Sequence, residues 1–224
     1  MPDEKPANYY QVIRPEMLDF IPAGCRTVLD VGCGEGFFGQ NLKQARDLEV
    51  WGIEIVEARA RAARERLDAV LTGDVTLLVS QLPMSFFDVV VFDDVLEHLI
   101  DPYDLLTRMK AHLSRGGVIV SSIPNIRFYP TFYELAVHCE WEYEESGILD
   151  STHLRFFTER SIRRMYERLG YEVLRHEGIN KQPRMPRRFW IANALGKRRF
   201  LDMQYPQFAT VARPIRAAEA PDAE

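Results

Sequence analysis

The chain has 224 residues, a length that fits one large domain better than two independent ones. Hydrophobic residues make up 46% and charged residues 27%, a balance that excludes disordered, collagen-like and coiled-coil proteins. The formal net charge is −5, so the protein as a whole does not attract a phosphate backbone. We therefore expect no stable binding to nucleic acid.

No stretch reaches the roughly 20 apolar residues that cross a bilayer. The first 20 residues carry six charged side chains where a signal peptide needs an apolar run. We therefore expect a cytoplasmic protein without a transmembrane segment. The three cysteines, Cys25, Cys33 and Cys139, form no Cys-x-x-Cys pair, which argues against a disulfide framework and a cysteine-based zinc site.

From residue 26 onward, short apolar runs alternate with segments of helical period, as in crossover units on a mostly parallel sheet. The runs that predict strands are residues 26–31, 49–53, 87–92 and 117–122. A third strand is expected to end at Gly73. The segments that predict helices are residues 37–45, 57–67 and 102–113, and Gly116-Gly117 predicts a turn into the fifth strand.

The pattern changes after Pro124, and the rest of the chain predicts additions to this core. The segment of about 126–157 is aromatic and irregular and predicts a cap. Thr158 is the expected N-cap of a helix over residues 159–169 that Gly170 ends, followed by a strand over 171–174 and an antiparallel partner over 208–211. We expect a single domain over residues 1–213 with its cofactor-binding core at 26–123, a basic insertion at about 181–203 and a disordered tail at 214–224.

A buried strand runs directly into a glycine-rich turn at residues 28–36, VLDVGCGEG. Glycines at alternate positions let the backbone approach a ligand closely, and the following helix presents free N–H groups, so a nucleotide-like ligand is the first hypothesis. Gly34, Gly36 and Gly39 also satisfy the dinucleotide pattern G-x-G-x-x-G, and Glu54 lies 20 residues after Gly34. A dinucleotide therefore remains an alternative at this point.

The acidic residues around the predicted strand ends favour a cationic ligand. They are Asp30, Glu35, Glu54, Asp74, Asp93 and Asp94. Two like charges about 4 Å apart cost on the order of 1 to 4 kcal/mol, so this ring suits the sulfonium and ammonium of S-adenosylmethionine better than a pyrophosphate. Glu54 can accept from both ribose hydroxyls of either ligand. Asp74 suits an adenine amino group, although Asp74 and Asp93 are alternatively ordinary helix N-caps.

Five ordered motifs carry a resemblance to a known family: VLDVGCGEGFFG, GIEI, GDV, FDVVVFDDVLEHLIDP and the Gly-Gly turn before the fifth strand. Together they resemble class I S-adenosylmethionine-dependent methyltransferases over residues 26–123, and the paired strands at the end extend the likeness to about 213. The resemblance implies an α/β, Rossmann-like, doubly wound sheet of seven strands. It is mostly parallel with the last strand antiparallel, and has helices on both faces and a cap inserted after strand 5.

The resemblance also implies which residues bind S-adenosylmethionine and its product S-adenosylhomocysteine. Asp30 would meet the ammonium, Glu54 the ribose and Asp74 the adenine amine. Asp93 would form the wall below the sulfonium, and Arg14 would meet the carboxylate. The full implied set is Tyr10, Arg14, Asp30, Gly32, Cys33, Gly34, Gly36, Phe37, Glu54, Ile55, Gly73, Asp74, Val75, Asp93, Val95 and His98.

Methyl transfer requires the acceptor and methyl carbon to be aligned at about 3 Å without water, and a hydroxyl acceptor also benefits from a base. The catalytic candidates are His153, Glu97, His98, Asn125 and Arg155. His153 lies in LDSTHLRFFT, residues 149–158, which resembles a segment of methyltransferases associated with surface polysaccharides and, more distantly, of ubiquinone-type O-methyltransferases. There the histidine points at the acceptor. The alternative is that His153 bonds a loop carbonyl and fixes the cap.

Residues 94–98, Asp-Val-Leu-Glu-His, are similar to the Glu-x-x-Glu-His of divalent-metal-dependent ubiquinone-type O-methyltransferases. Carboxylate oxygens of this kind suit magnesium. Asp94 is shorter than the glutamate of that pattern, so we expect no metal. If one binds, the expected ligands are Asp94, Glu97 and His98.

These observations predict a methyltransferase that O-methylates a small molecule, with a saccharide or saccharide-linked acceptor favoured, a role in polysaccharide biosynthesis and His153 as the base. The basic residues 184–199 either receive a phosphate or lipid-linked handle on the acceptor, such as a sugar-phosphate conjugate, or form a solvated amphipathic helix. We expect a monomer or homodimer. The alternatives are a non-catalytic methyltransferase-like partner subunit of a biosynthetic enzyme, a dinucleotide oxidoreductase and an RNA methyltransferase.

Overall fold

The computed structural model describes residues 14–216, which build one seven-stranded sheet with helices around it. The strands are β1 Thr27–Val31, β2 Glu49–Glu54, β3 Ala69–Thr72, β4 Phe87–Asp93, β5 Leu113–Pro124, β6 Tyr171–Ile179 and β7 Gln207–Pro214. The helices are α1 Pro15–Leu18, α2 Phe37–Ala45, α3 Glu57–Ala63, α4 Val75–Leu78, α5 Pro102–Met109, α6 Tyr129–Tyr133, α7 Glu159–Arg168 and α8 Arg187–Leu195. Short 3₁₀ turns lie at Val79–Gln81, Leu96–His98 and Leu201–Gln204, and a π-helical turn lies at Glu134–His138.

The strand order is β3-β2-β1-β4-β5-β7-β6. Strands β1 to β5 are parallel to one another, whereas β7 runs antiparallel to both β5 and β6. The predicted fold, a doubly wound sheet that ends in an antiparallel strand, is confirmed. The order reverses between β1 and β4, and ligands of such sheets bind outside the carboxyl ends of the strands at this switch point.

The core has two layers because successive side chains of a strand point to opposite faces of the sheet. In β4, Val90 and Phe92 pack with α5 and α7, whereas Val89 and Val91 pack with α2. All four side chains are fully buried. This explains why the central strands are apolar throughout rather than alternating, as expected for a sheet covered on both sides.

Several predicted boundaries were wrong. The helix expected over 102–113 ends at Met109, and the strands expected over 171–174 and 208–211 extend over Tyr171–Ile179 and Gln207–Pro214. The turn expected at Gly116-Gly117 lies inside β5, where the stretch from Leu113 to Val118 lies opposite the shorter stretch from Phe87 to Val89 of β4. Gly116 has φ +87°, so it bends the strand within this bulge instead of starting it. The helix predicted over 57–67 ends at Ala63, because the chain then turns and buries Leu67 in the space that Gly39 and Gly52 leave open.

The cap leaves and re-enters the core at one point. Asn125 and Phe157 form a bridge there, and the Ile126 N–H donates to the Phe157 carbonyl at 2.9 Å. Between these residues the chain forms α6, the π-helical turn and a second bridge, Glu144 with Asp150. The end of the cap is therefore held directly beside the carboxyl end of β5.

The C-terminal additions also take defined positions. The basic insertion contains α8, and Phe189 of that helix is buried. Pro214, with which the expected tail begins, is the last residue of β7, and Ile215 N–H donates to the Gly170 carbonyl at 2.9 Å. Residues 217–224 lie outside the described residues. Within residues 14–216, no helix is both long and apolar enough to cross a bilayer.

Replacing Tyr166 by phenylalanine tests the packing of α7 on the sheet. The buried Tyr166 hydroxyl donates to Ser121 Oγ at 2.7 Å, and the variant leaves the buried Ser121 hydroxyl without this partner. We expect the free energy of unfolding to fall by about 1 kcal/mol in urea denaturation followed by circular dichroism. Tyr103→Phe on α5, where the ring is 42% exposed, is the control. Equal stability of the two variants would contradict this assignment.

Candidate active site

A cavity of about 1080 Å³ opens at the carboxyl ends of the parallel strands beside the switch point. The predicted cofactor residues in its wall are Arg14, Asp30, Gly32, Cys33, Gly34, Phe37, Glu54, Ile55, Gly73, Asp74, Val75, Asp93, Val95 and His98. Gly36 does not line the cavity, because it faces Ala63 and Leu67 of the α3 region, and Tyr10 lies outside the described residues. Glu97 and His153 also line the cavity, so the predicted cofactor and acceptor sites meet in one space.

The glycine-rich turn has its shape because Gly32 lacks a side chain. This residue has φ +76°, and a Cβ atom there would lie 2.7 Å from Cγ2 of Val95 in the loop after β4. The two loops can approach only if position 32 is glycine, since real Cβ contacts are never this short and the positive φ is itself unfavourable for other residues.

Glu54 is held in place by backbone groups on both of its oxygens. Oε2 accepts from the Gly34 N–H at 2.9 Å, and Oε1 accepts from the Val56 N–H at 2.9 Å. The side chain is 95% buried. A carboxylate offers about four acceptor positions, so each oxygen retains one for a ribose hydroxyl.

Asp30 and Asp93 concentrate negative charge at the ends of β1 and β4. Burial raises the pKa of Asp30 well above its ordinary value, and the neighbouring Asp93 and Glu54 raise it further. Burial, and then the charge of Asp94, raise the pKa of Asp93 to about 7, although Arg14 opposes this. Within residues 14–216, Oδ2 of Asp30 has no hydrogen-bond partner. A bound cation would stabilise both carboxylates in their ionised forms.

Arg14 already places one cation beside this group. Its Nη1 lies 2.7 Å from Asp94 Oδ2, and its Nη2 lies 2.8 Å from Asp93 Oδ1 and 3.1 Å from Ser122 Oγ. The guanidinium is therefore engaged by carboxylates of the protein itself. That Arg14 meets the carboxylate of the cofactor stays a prediction.

Asp94 takes no part in the cluster that the metal prediction assigned to it. Its backbone is left-handed, with φ 54°, and its carboxylate receives Gln207 Nε2 at 2.8 and 2.9 Å in addition to Arg14. The group that brings potential ligand atoms within 4.8 Å of one another is instead Glu97, His98 and His153. The predicted trio differs from this group in one member, because the Asp94 carboxylate is engaged by Arg14 and Gln207. Which residues would bind a metal stays a prediction.

Asp74 is a helix N-cap, as the alternative interpretation held. Its Oδ1 accepts from the Thr76 N–H at 2.8 Å and from the Thr76 hydroxyl at 2.7 Å at the start of α4. Asp74 nevertheless lines the cavity, so capping and a contact with adenine are compatible. Asp93 caps no helix. It ends β4 and accepts from Ser122 Oγ at 2.5 Å.

The acceptor side of the cavity is built from Glu97 and two imidazoles. Nε2 of His153 lies 3.9 Å from Oε1 of Glu97, and the His98 and His153 rings meet edge to face at 4.7 Å. Glu97 is 99% buried, and within the described ranges neither of its oxygens has a hydrogen-bond partner. Burial, and then the charge of Asp94, raise the pKa of Glu97 well above its ordinary value.

The backbone partner of the His153 ring fixes its tautomer. His153 Nδ1 lies 3.0 Å from the Ile148 carbonyl, and His98 Nδ1 lies 3.2 Å from the Thr152 carbonyl. Because a carbonyl only accepts, Nδ1 of a neutral His153 carries the proton and Nε2 carries the lone pair. His98 Nδ1 also lies 3.1 Å from the Thr152 hydroxyl, which can donate or accept. The Ile148 contact agrees with the expected alternative for His153, yet it leaves Nε2 as an acceptor beside Glu97.

Asn125 and Arg155 were predicted as catalytic candidates, but neither lines the cavity. The Asn125 amide donates to the carbonyls of Asp202 at 3.0 Å and Tyr205 at 2.9 Å, so the side chain braces the segment before β7. The Arg155 guanidinium donates to the Ile100 carbonyl and fixes the loop before α5. Both residues stabilise the walls of the site from outside.

Several cavity residues were not predicted. Gln207 reaches the site from β7, and Leu99 and Ile100 come from the loop before α5. Leu99 and Ile100 belong to the motif FDVVVFDDVLEHLIDP but were assigned no role, whereas nothing in the local sequence marks Gln207. Thr152 is different, because it adjoins His153 in the segment that was singled out, and its carbonyl holds His98.

Comparison with known proteins decides the family. The family described as "Methyltransferase domain" matches residues 7–176, more than half of the chain. The chain belongs to this methyltransferase family. Together with its relatives and its fold, the match makes this protein an S-adenosylmethionine-dependent methyltransferase, and the dinucleotide alternative is wrong.

Curated relatives include ubiquinone biosynthesis O-methyltransferases. The chain is 28% identical over 182 residues to that of Azoarcus sp. (strain BH72), with 76% of both chains covered. It is 27% identical over 192 residues to that of Psychrobacter arcticus, covering 81% of this chain and 72% of the relative. Among solved structures, a SAM dependent methyltransferase from Archaeoglobus fulgidus superposes with a TM-score of 0.67 at 20% identity, covering 91% and 94% of the two chains, which supports the fold alone.

The residues in the cavity fit S-adenosylmethionine. Gly32 lets a ligand pass close to the backbone, Glu54 has acceptor positions left for a ribose, and the unpartnered Oδ2 of Asp30 suits an ammonium. The donor carries a positive sulfonium and ammonium, whereas the free cavity carries an excess of carboxylates. The charges of the methyl donor and the site are therefore complementary.

Titration of Asp93 predicts how the affinity for S-adenosylmethionine varies with pH. Above its pKa of about 7 the carboxylate is negative and attracts the cation, and below that value it is neutral. We expect the dissociation constant to rise by about ten-fold from pH 8 to pH 6 in calorimetric titrations.

Asp93→Asn is the control, because it removes the titration of this carboxyl group. The variant is expected to show a flatter pH dependence. If the dissociation constant changed equally with pH in the variant and in the unmodified protein, Asp93 would not be the group that causes the pH dependence.

Proposed function

We propose that this methyltransferase transfers a methyl group to a hydroxyl oxygen of a small molecule and that His153 is the base. The observation that carries the proposal is the buried pair of His153 Nε2 and Glu97 Oε1, 3.9 Å apart in the wall of the cofactor cavity. A lone pair beside a carboxyl group, with hydrogen-bond capacity left on both, is a suitable receiver for a hydroxyl proton.

The residues of the chain divide the task between them. S-adenosylmethionine, when bound, supplies a methyl group that an oxygen can attack. As the hydroxyl oxygen bonds to the methyl carbon, the bond from that carbon to sulfur breaks and S-adenosylhomocysteine leaves, while the hydroxyl proton passes to Nε2 of His153. The Ile148 carbonyl keeps the ring oriented through Nδ1, and Glu97 stabilises the positive charge that the ring acquires.

His98 positions this pair. Its Nδ1 bonds the Thr152 carbonyl, which connects the turn after β4 with the cap one residue before His153. The N–H groups of Leu154 and Arg155 donate to the Glu97 carbonyl at 2.9 and 3.0 Å and reinforce the same connection. The base and its carboxyl partner are thus fixed on two segments that are bonded to each other.

A saccharide or saccharide-linked acceptor agrees with the aromatic surface of the cap. The rings of Trp141 and Phe156 meet at 5.1 Å, Tyr143 lies 6.4 Å from Trp141, and Phe156 lies 6.4 Å from His153. These three aromatic side chains are 36% to 54% exposed. The three rings lie outside the cavity wall but near His153, and exposed aromatic surface there suits the apolar face of a sugar ring.

A phenolic acceptor is the second candidate, and two observations favour it. The relatives from Azoarcus sp. and Psychrobacter arcticus carry the name of a ubiquinone biosynthesis O-methyltransferase. Ile100 and Leu154 at the cavity are 78% and 55% exposed and offer contacts to an apolar substituent. Turnover of catechols without turnover of sugars, in an assay with labelled methyl donor, would favour this candidate.

The paired Glu97 and His153 also argue against a non-catalytic partner subunit. A carboxyl group that is 99% buried lowers stability unless it is compensated, and within residues 14–216 neither oxygen of Glu97 is hydrogen-bonded. A subunit that only holds a partner has no use for this arrangement, whereas a reaction that moves a proton does.

Replacing His153 by alanine tests the proposal. We expect turnover to fall by about 10²- to 10⁴-fold, because the hydroxyl loses its base, while the dissociation constant of S-adenosylhomocysteine stays within about two-fold. The matched control is His138→Ala at an imidazole that is 52% exposed and outside the cavity. Equal turnover of the two variants would remove His153 from the mechanism.

A divalent cation is the competing use of Glu97, His98 and His153, whose ligand atoms lie within 4.8 Å of one another. Two imidazole nitrogens and a carboxylate suit a transition metal. If His153 acts as a base, we expect dialysis against a chelator to leave turnover unchanged. Loss of turnover that manganese, zinc or magnesium restores would contradict the base mechanism and assign the three side chains to a metal.

A further inference from the structure

A second cavity, of about 580 Å³, lies beside the basic insertion. Its wall consists of Arg127, Thr158, Glu159, Arg160, Lys181, Trp190, Arg198, Arg199, Leu201, Asp202, Gln204, Tyr205 and Phe208. Gln204 and Tyr205 face this cavity, whereas the next two residues, Pro206 and Gln207, face the active site. One short segment therefore separates the two cavities, and the second one has the size of a small-molecule site.

The wall of this second cavity is strongly positive in a chain whose net charge is −5. Five residues are cationic, namely Arg127, Arg160, Lys181, Arg198 and Arg199, and two are acidic, Glu159 and Asp202. Five positive and two negative charges leave an excess of three. Arg127 and Asp202 form an ion pair at 2.8 Å and neutralise each other in the wall.

The remaining cations are presented to the cavity. All four are exposed, namely Arg160, Lys181, Arg198 and Arg199. In the part of the chain that the structure describes, none of them lies within 4.0 Å of a carboxylate oxygen. After α8, Lys197 and Arg198 adopt a left-handed backbone, with φ 52° and 63°. This turn brings Arg198 and Arg199 to the cavity wall.

An aromatic face lies next to these charges. Trp190 of α8 lines the cavity and is 48% exposed, and Tyr205 and Phe208 line it from the other side. The Trp190 ring meets Phe189 edge to face at 5.1 Å and keeps about half of its surface exposed. Arginines around such a ring match a ligand that combines phosphate groups with a flat ring, because guanidinium groups pair with phosphate oxygens and bases stack on aromatic side chains.

We propose that this cavity binds a nucleoside diphosphate, with its phosphates at Arg160, Arg198 and Arg199 and its base on Trp190. A terminal diphosphate carries about three negative charges near neutral pH, and these balance the excess positive charge of the cavity wall. A carboxylate ligand would leave most of this charge uncompensated. The site is formed by the second cavity alone, so nucleotide binding there depends neither on the acceptor class nor on methyl transfer.

The test is a calorimetric titration of the full chain at low ionic strength with uridine diphosphate, adenosine diphosphate, diphosphate and inorganic phosphate. We expect a nucleoside diphosphate to bind most tightly, with an affinity that falls as salt is added. Arg198→Gln combined with Arg199→Gln is expected to weaken its binding by at least about ten-fold. The matched control, Arg164→Gln combined with Arg168→Gln, changes two arginines of α7 outside the cavity and is expected to change the affinity by less than about two-fold.

Trp190→Ala tests the stacking of the base separately from the binding of the phosphates. It is expected to weaken nucleoside diphosphate binding by about ten-fold and to leave diphosphate binding unchanged. Retained binding of S-adenosylhomocysteine by each variant reports that it is folded. Equal nucleotide affinity in the Arg198/Arg199 variant and the control would overturn the proposal. So would binding of phosphatidylglycerol vesicles or RNA without binding of any of the nucleotides.

Discussion

Buried negative charge at the carboxyl ends of β1, β2 and β4 is the constraint on which the active site depends. Ionised carboxylates are costly to bury, and the raised pKa values of Asp30 and Asp93 express that cost. The protein offsets part of it with two backbone N–H groups on Glu54 and the guanidinium of Arg14. A bound cation offsets the rest, which explains why the site suits a positively charged methyl donor.

The loop after β4 contributes residues both to the cofactor cavity and to the acceptor side of the site. Directly after β4 come the strained turn at Asp94 and then Glu97 and His98, which contact the cap through Thr152 and His153. The cap in turn begins and ends at the carboxyl end of β5. A short stretch of chain therefore connects the wall of the cofactor cavity to the proposed base, and movement of the cap would change the geometry of both.

The sequence predicted what local patterns determine. The strands, the glycine turn, Glu54 and the Thr158 cap follow from periodicity and from the chemistry of single positions, and the structure has them. It did not predict contacts between distant segments. The partners of Asn125 lie 77 and 80 residues away, so a polar residue after β5 could not be recognised as a brace. The side-chain partners of Asp94, which are Arg14 and Gln207, lie 80 and 113 residues away, and Gln207 enters the site only through the antiparallel pairing of β7.

Proton release on binding of the methyl donor tests the central claim most directly. Calorimetry of S-adenosylmethionine near pH 7 in buffers of different ionisation enthalpy counts the protons exchanged. If the donor binds because buried carboxylates ionise around it, the complex releases protons, and a nicotinamide dinucleotide gives no binding heat. A titration in which the donor binds with no proton release, or in which the dinucleotide binds instead, would contradict the account.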